Sequence, residues 1–238
     1  VQRAGPSTGL PTKTEQSDLF MAMYGRHGDC PAVVLAPATS SDCFWVAFEA
    51  VRLATKYMTP VLVLSDSFLA NGAEPFRITP ATSLPSLEVS GEVSPSEFAP
   101  YRRDESTLAR PWVAPGTKQM EHRIGGLEKE DITGLVSYDG ANHSRMVSLR
   151  AQKIAGIQSD IPEVDIVGPD HGDVLVIGWG STYGAIGAAV SDLQSADCAV
   201  AHVHLRHLNP LPRNLGEVMS RFKRILIPEN NLGHLQTI

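Results

Sequence analysis

The sequence is short of cysteine. Its 238 residues hold three, Cys30, Cys43 and Cys198, far apart and with no CxxC pair. So odd and scattered a set argues against a disulfide framework and against a chain-internal zinc or iron–sulfur site. A reducing cytoplasm fits it best. Long apolar runs are missing too: none approaches the roughly 18 residues that mark a membrane-spanning helix. A basic excess is also absent. With 20 Lys and Arg against 26 Asp and Glu the net charge is -6, which argues against general binding to nucleic acid or to an anionic membrane. A local arginine cluster stays allowed. No signal peptide and no initiator Met open the chain, so the expectation is a fragment or a processed chain.

Hydrophobic residues, at 42%, are enough for a real core in one or two domains. In the first zone "AVVLAPA" (32–38) is a continuous apolar run, the pattern of a buried parallel strand. Next comes "SSDCFWVAFEAVRLATKYM", where Phe44, Ala47, Phe48, Val51 and Ala54 recur at helical spacing. Ser40 or Ser41 is placed to cap this helix, and Asp42 suits its first turn. "PVLVLSD" (60–66) then reads as a second strand, completing a right-handed βαβ crossover. A Pro-rich middle zone follows, with a helix predicted over 141–156 that turns Met146, Leu149 and Ile154 or Ala155 inward. The rest of this zone reads as an extended arm lying along another surface. In the last zone "DVLVIGWGS", "TYGAIGAAVSDLQSA", "CAVAHVHLRHLNP", "PRNLGEVMSRF" and "RILIPEN" alternate as βαβαβ. The fold class is therefore α/β: two three-layer parallel-sheet units joined by a long arm.

Several stretches are chemically suggestive. "RAGPSTGLPT" near the start offers the planar fork of Arg3, the hydroxyls of Ser7, Thr8 and Thr12, and two glycines, Gly5 and Gly9. It reads either as an anion cradle or as a plain surface turn. It is no Walker loop, because the GKS or GKT ending is missing. "GWGSTYG" (178–184) has its glycines one residue too far apart for a dinucleotide fingerprint and reads better as a tight βα turn capped by Ser181 or Thr182. His202 and His204 share one face of a strand, as packing residues or as two metal ligands lacking a third. Asp66, Asn71 and Glu74 follow a strand end, as site walls or as turn chemistry. No GxSxG elbow and no HExxH helix is present, and Cys30 and Cys43 have no base near them in sequence.

Five stretches taken together carry more information than any one motif. "VQRAGPSTGLPTKTEQSDL", "ATSSDCFWVAFEAVRLATKYMTPVLVLSDSFLANGAEP", "RIGGLEKEDITGLVSYDGANH", "VLVIGWGSTYGAI" and "HLRHLNPLPRNLGEV" resemble, in order and over nearly the whole chain, the alpha subunit of 2-oxoacid:ferredoxin oxidoreductases. The nearest resemblance is to the 2-oxoglutarate branch. It implies a partial alpha subunit: residues 1–80 from the C-terminal part of a thiamine-pyrimidine-binding-type domain, 81–163 a connecting arm, and 164–238 a transketolase C-terminal-like domain. It implies thiamine diphosphate, Mg2+ and a [4Fe-4S] cluster in the assembled enzyme, held mainly by a beta subunit, with coenzyme A as co-substrate and ferredoxin as electron acceptor. A dimer of heterodimers is the expected assembly. By the same resemblance Arg3 binds the 2-oxoacid carboxylate, while Gly5, Pro6, Ser7 and Thr8 shape the substrate pocket.

The resemblance has departures. Ala4 stands where a second glycine is expected, which questions the loop geometry. The family's upstream segment carrying a substrate-binding Thr is not in this sequence. Nor is its pyrimidine-activating glutamate, a role assigned to neither Glu15 nor Glu74. The "GDG…N" pattern that holds diphosphate and Mg2+ is also absent, as are cluster cysteines, in keeping with the division between subunits. The chain alone is expected to be inactive. Two rival readings stay open: a pyruvate or broad 2-oxoacid enzyme, and a non-catalytic scaffold on the same fold.

Overall fold

A computed structural model describes residues 1–87, 89 and 93–238; positions 88 and 90–92 of the predicted arm lie outside the described residues. A short helix, α1 (Leu19–Tyr24), precedes the first strand and buries Leu19 and Ala22. The apolar run then folds as β1 (Val33–Leu35), buried along its whole length. The crossover helix is α2 (Asp42–Tyr57), and β2 (Val61–Val63) returns parallel to β1 with Val33 opposite Val61. The βαβ unit stands as expected, but α2 turns a different face inward. Its buried residues are Asp42, Val46, Leu53 and Tyr57, whereas Phe44 and Val51 are 39% and 47% exposed. The helix is apolar on both sides, so periodicity alone does not choose between them. What chooses is the partner: Val46, Leu53 and Tyr57 close on Val33, Leu35, Ile154, Ile157 and Ile161.

A one-turn helix, α3 (Ser67–Asn71), follows β2, and the arm's helix is α4 (Gly140–Gly156). The Asp139 carboxylate caps α4 by accepting the Asn142 N–H at 2.7 Å. Met146 and Ile154 are its buried residues, so Ile154 and not Ala155 faces the core.

The last zone builds β3 (Gly172–Trp179), α5 (Tyr183–Ser195) and β4 (Val200–Leu205), then α6 (Leu215–Ser220) and β6 (Phe222–Leu226), with α7 (His234–Thr237) near the end. Between β4 and α6 lies a further strand, β5 (His207–Asn209). The sheet order β4-β3-β6 is parallel throughout, with β3 at its centre. The predicted single strand over 198–210 is corrected by this structure: it breaks at Arg206. β5 leaves for the first sheet, where it pairs antiparallel with β1, Val34 opposite Asn209 and Leu35 opposite His207. Arg206 makes the break stable. Its carbonyl accepts the Ala36 N–H at 2.8 Å, and its Nε donates to the buried Asp42 carboxylate at 2.9 Å. The first sheet is thus mixed, with order β2-β1-β5.

One apolar cluster runs through both sheets. Val34, Ala36 and Leu64 of the first pack together with Leu175, Ile177, Leu205 and Leu208 from the later zone. Among the described residues no helix is long and apolar enough to cross a membrane.

Candidate functional site

The loop bearing Arg3 is fastened at both feet by a buried glutamine. Gln2 lies beside the end of β2: its N–H donates to the Ser65 carbonyl at 2.7 Å, and its own carbonyl accepts the Ser67 N–H at 3.0 Å. Its side-chain oxygen accepts the Asp18 N–H at 3.0 Å. Gln16 holds the other foot. It exchanges bonds with Asn230 at 3.0 Å in both directions, and its Nε2 donates to the Trp179 carbonyl at 2.8 Å. The Gln16 amide both donates and accepts, which is what joining such separate backbone segments requires, whereas the Gln2 side chain works through its oxygen.

Between these feet the chain doubles back on itself, Ala4 bridging Leu10 with the Leu10 N–H on the Ala4 carbonyl at 3.0 Å. The Gly5–Pro6 bond is cis, and Ser7, Gly9 and Thr12 all have positive φ. Gly9 is obligatory: with φ +51°, a Cβ there would lie 1.9 Å from the Ala4 carbonyl oxygen. Ala4 is not among the positive-φ residues, so the alanine that departs from the family pattern sits without strain.

This loop walls an open cleft of about 510 Å³ lined by Arg3, Gly5, Pro6 and Ser7, together with Val1, Glu15, Ser17 and Asp18. Four of the five predicted site residues therefore meet at one cleft. Thr8 takes part through its carbonyl, which accepts a hydrogen bond from Arg3 Nη1. Sequence reading missed Glu15, Ser17 and Asp18. The Glu15 carboxylate accepts the Gly5 N–H at 2.8 Å, and Ser17 Oγ donates to the Arg3 carbonyl at 3.4 Å. Only their nearness to the loop in sequence could have flagged them. The cleft thus presents one guanidinium, most of whose donors remain for a ligand, against the carboxylates of Glu15 and Asp18.

The other candidates resolve differently. Asp66 is turn chemistry: its Oδ1 accepts the N–H groups of Phe68 and Leu69 at the start of α3, while Oδ2 accepts from Ser181 Oγ. Asn71 bonds back to the Ser67 carbonyl at 2.7 Å, and Glu74 accepts the Ser41 N–H. "GWGSTYG" is a tight turn, with Thr182 Oγ1 donating to the Trp179 carbonyl at 2.7 Å and Gly180 at φ +59°. Neither Ser181 nor Thr182 caps α5, and neither Ser40 nor Ser41 caps α2; Ser40 Oγ donates to the Leu69 carbonyl at 3.1 Å, and Thr39 Oγ1 accepts the Asp42 N–H at 3.2 Å at the start of α2. Burial, with Asp42, Asp66 and Glu74 nearby, pushes the Cys43 thiol up, away from a thiolate nucleophile. Among the described residues no group of three or more His, Cys, Asp or Glu is placed to hold a metal ion.

With this geometry established, similarity to known proteins decides the family. A family model described as pyruvate flavodoxin/ferredoxin oxidoreductase, thiamine diphosphate-binding, matches residues 1–137. The chain belongs to this family. All of the chain aligns, at 50% identity, with 36% of the 2-oxoglutarate oxidoreductase subunit KorA of Mycobacterium tuberculosis. All of it aligns at 33% identity with 38% of a 2-oxoacid:ferredoxin oxidoreductase alpha subunit of Aeropyrum pernix. Among solved structures it is similar to the 2-oxoglutarate:ferredoxin oxidoreductase from Magnetococcus marinus with 2-oxoglutarate, coenzyme A and succinyl-CoA bound. That match has a TM-score of 0.90 and 34% identity, covering 100% of this chain and 42% of the other. The resemblance read from the sequence is the one found, and the α/β fold is that of the family. This family member spans little more than a third of the length of the two relatives named here.

Proposed function

We propose that this chain is part of the alpha subunit of a thiamine-diphosphate-dependent 2-oxoglutarate:ferredoxin oxidoreductase. The enzyme converts 2-oxoglutarate, CoA and oxidised ferredoxin to succinyl-CoA, CO2 and reduced ferredoxin. The observation that carries the reading is the Arg3 loop: exposed, fixed at both feet, and part of a chain that is similar throughout to a 2-oxoglutarate oxidoreductase subunit. In this reading residues 1–80 belong to the pyrimidine-type domain, 81–163 form the arm and 164–238 the transketolase C-terminal-like domain.

Arg3 holds the 2-oxoacid carboxylate. Thr8 occupies one Nη1 position, and the rest of the fork can make a bidentate pair. Gly5, Pro6 and Ser7 shape the pocket wall, and Glu15 keeps the Gly5 amide in place. A substrate so fixed has little orientational freedom left to lose on the way to reaction. When bound, thiamine diphosphate supplies the nucleophilic carbon and the electron sink for decarboxylation. The sequence carries neither a GDG…N pattern nor grouped cysteines, so we place Mg2+ and the iron–sulfur cluster with a beta subunit, in a cytoplasmic dimer of heterodimers.

The test is anaerobic purification of the full-length protein with its partner subunit. The reading expects a brown complex whose visible absorbance bleaches on adding 2-oxoglutarate and CoA. A colourless complex, inert to every 2-oxoacid, contradicts it and favours a scaffold. Equal turnover of pyruvate would replace the narrow substrate assignment by the broader 2-oxoacid class for which the Aeropyrum relative is named.

A further inference from the structure

A second cavity, of about 310 Å³, opens at the carboxyl end of β4, where open α/β sheets place their ligands. Tyr183, His202, His204 and Arg206 are among the residues that line it. His202 is 2% exposed, yet among the described residues its Nε2 has no hydrogen-bond partner, and the ring nitrogens of His204 make no bond of good geometry, only a weak approach to the Gly180 backbone. Burial of this kind without a partner is costly, and an apolar pair would fill the same space without that cost. The two imidazoles stand edge to face, 5.8 Å apart, and the Tyr183 ring lies 4.9 Å from His204. Across the sheet Gly178 is in register with His204, and a Cβ there would come within 3.2 Å of His204 Nδ1. The same Cβ would lie 2.5 Å from Ile186 Cδ1, so Gly178 makes room on β3 for α5 as well as for this ring.

Burial holds both histidines below their usual range, His204 to about 3, with His202 and Arg206 adding to the effect on His204 and the Gly180 backbone opposing it. Neutral imidazoles offer one donor and one acceptor each and no charge. The charged groups at the rim are largely balanced: Arg206 by Asp42 at 2.9 Å, Glu163 by Arg213 at 2.6 Å, and His207 meets Glu49 at 3.3 Å, leaving Asp165 open to water. A metal does not fit, because among the described residues the two imidazoles have no third ligand such as zinc sites require.

We propose that this cavity binds an uncharged planar heterocycle whose edge carries adjacent donor and acceptor atoms, as a lactam or amidine does. The aromatic walls take the ring faces and the orphan ring nitrogens take the edge. A volume near the lower end of small-molecule pockets limits the ligand to a single ring system. The inference stands apart from the thiamine reading and shares no residue with the Arg3 cleft.

The experiment is calorimetric titration of the full-length protein, assembled with its partner subunit, with uracil, adenine and, as an apolar control of similar size, toluene. The proposal expects saturable binding of uracil or adenine and none of toluene. The double variant His202→Phe and His204→Phe should weaken that binding at least tenfold while melting no lower than the parent, because it removes unpaired nitrogens and adds none. No saturable binding of either base overturns the proposal, and so does equal binding of toluene, which would mark a merely apolar cavity. Unchanged affinity in the double variant overturns it too. If that variant fails to fold, His204→Gln, which keeps a donor and an acceptor, serves instead: retained folding with unchanged affinity for both bases overturns the assignment, and altered preference between them supports it.

Discussion

Gly5 and Gly9 lie in the same loop and serve it differently. Gly9 carries a positive φ, and a Cβ there would overlap the Ala4 carbonyl; around Gly5 nothing lies within 4 Å of the corresponding point. Gly9→Ala should therefore open the loop, seen as faster amide exchange across residues 3–15, whereas Gly5→Ala should leave exchange unchanged and only narrow the cleft. Equal protection in both variants would contradict this division. Lys153 provides a separate residue-scale test. Burial first, then the charges of Arg103 and Arg110, lower it to about 8 from 10.5. Between those two values the unfolded chain binds more protons than the folded one, so this residue's contribution to stability rises with pH across that window and is flat below it. Lys153→Met should remove that slope and raise stability at neutral pH by about 2 kcal/mol, measured by denaturant unfolding at several pH values.

At the scale of elements, the sequence read well where one strong signal decides. The apolar run at 32–38 holds the shorter strand Val33–Leu35, that at 173–179 is strand throughout, and the helix predicted over 141–156 forms one residue longer at its start. It read poorly where a partner decides. Both sides of α2 are apolar, so which side is buried depended on α4, whose docking position no local pattern announces. The single strand expected over 198–210 hid a change of sheet, because β4 and β5 run on in sequence with only Arg206 between them. The loop's hydroxyls, glycines and Arg3 were legible; the two glutamines that fasten it were not, since their partners lie as far away as Asn230. Asp42 serves the break at Arg206 as well as the first turn of α2. It accepts both the Ala38 N–H and Arg206 Nε at 2.9 Å. Asp42→Ala should cost about 2 kcal/mol, and Asp42→Asn, which can keep the Ala38 bond, about half of that. Equal losses in the two variants, read from unfolding midpoints, would assign the effect to the ion pair instead.

At the scale of the whole molecule, residues 1–80 and 164–238 do not pack as separate bodies joined by a string. A continuous apolar cluster and the β1–β5 pairing bind them. Through Gln16, whose partners include Asn230 and the Trp179 carbonyl, the second sheet helps to hold the loop that carries Arg3. The Arg3 loop is therefore a product of the entire fold and not an appendage of its first strand. The chain spans only part of its relatives, so the claim about Arg3 belongs to the assembled enzyme and is best tested there. The most direct measurement is steady-state reduction of ferredoxin by 2-oxoglutarate and CoA in the full-length complex, comparing the parent with Arg3→Ala and Arg3→Lys. Loss of a charge-assisted bidentate pair predicts a kcat/KM for 2-oxoglutarate roughly 100-fold lower in Arg3→Ala, with assembly intact and CoA saturation unchanged. Arg3→Lys, a point charge without the fork, should recover only part of it. Parent-like kinetics in a properly assembled Arg3→Ala complex would contradict the account.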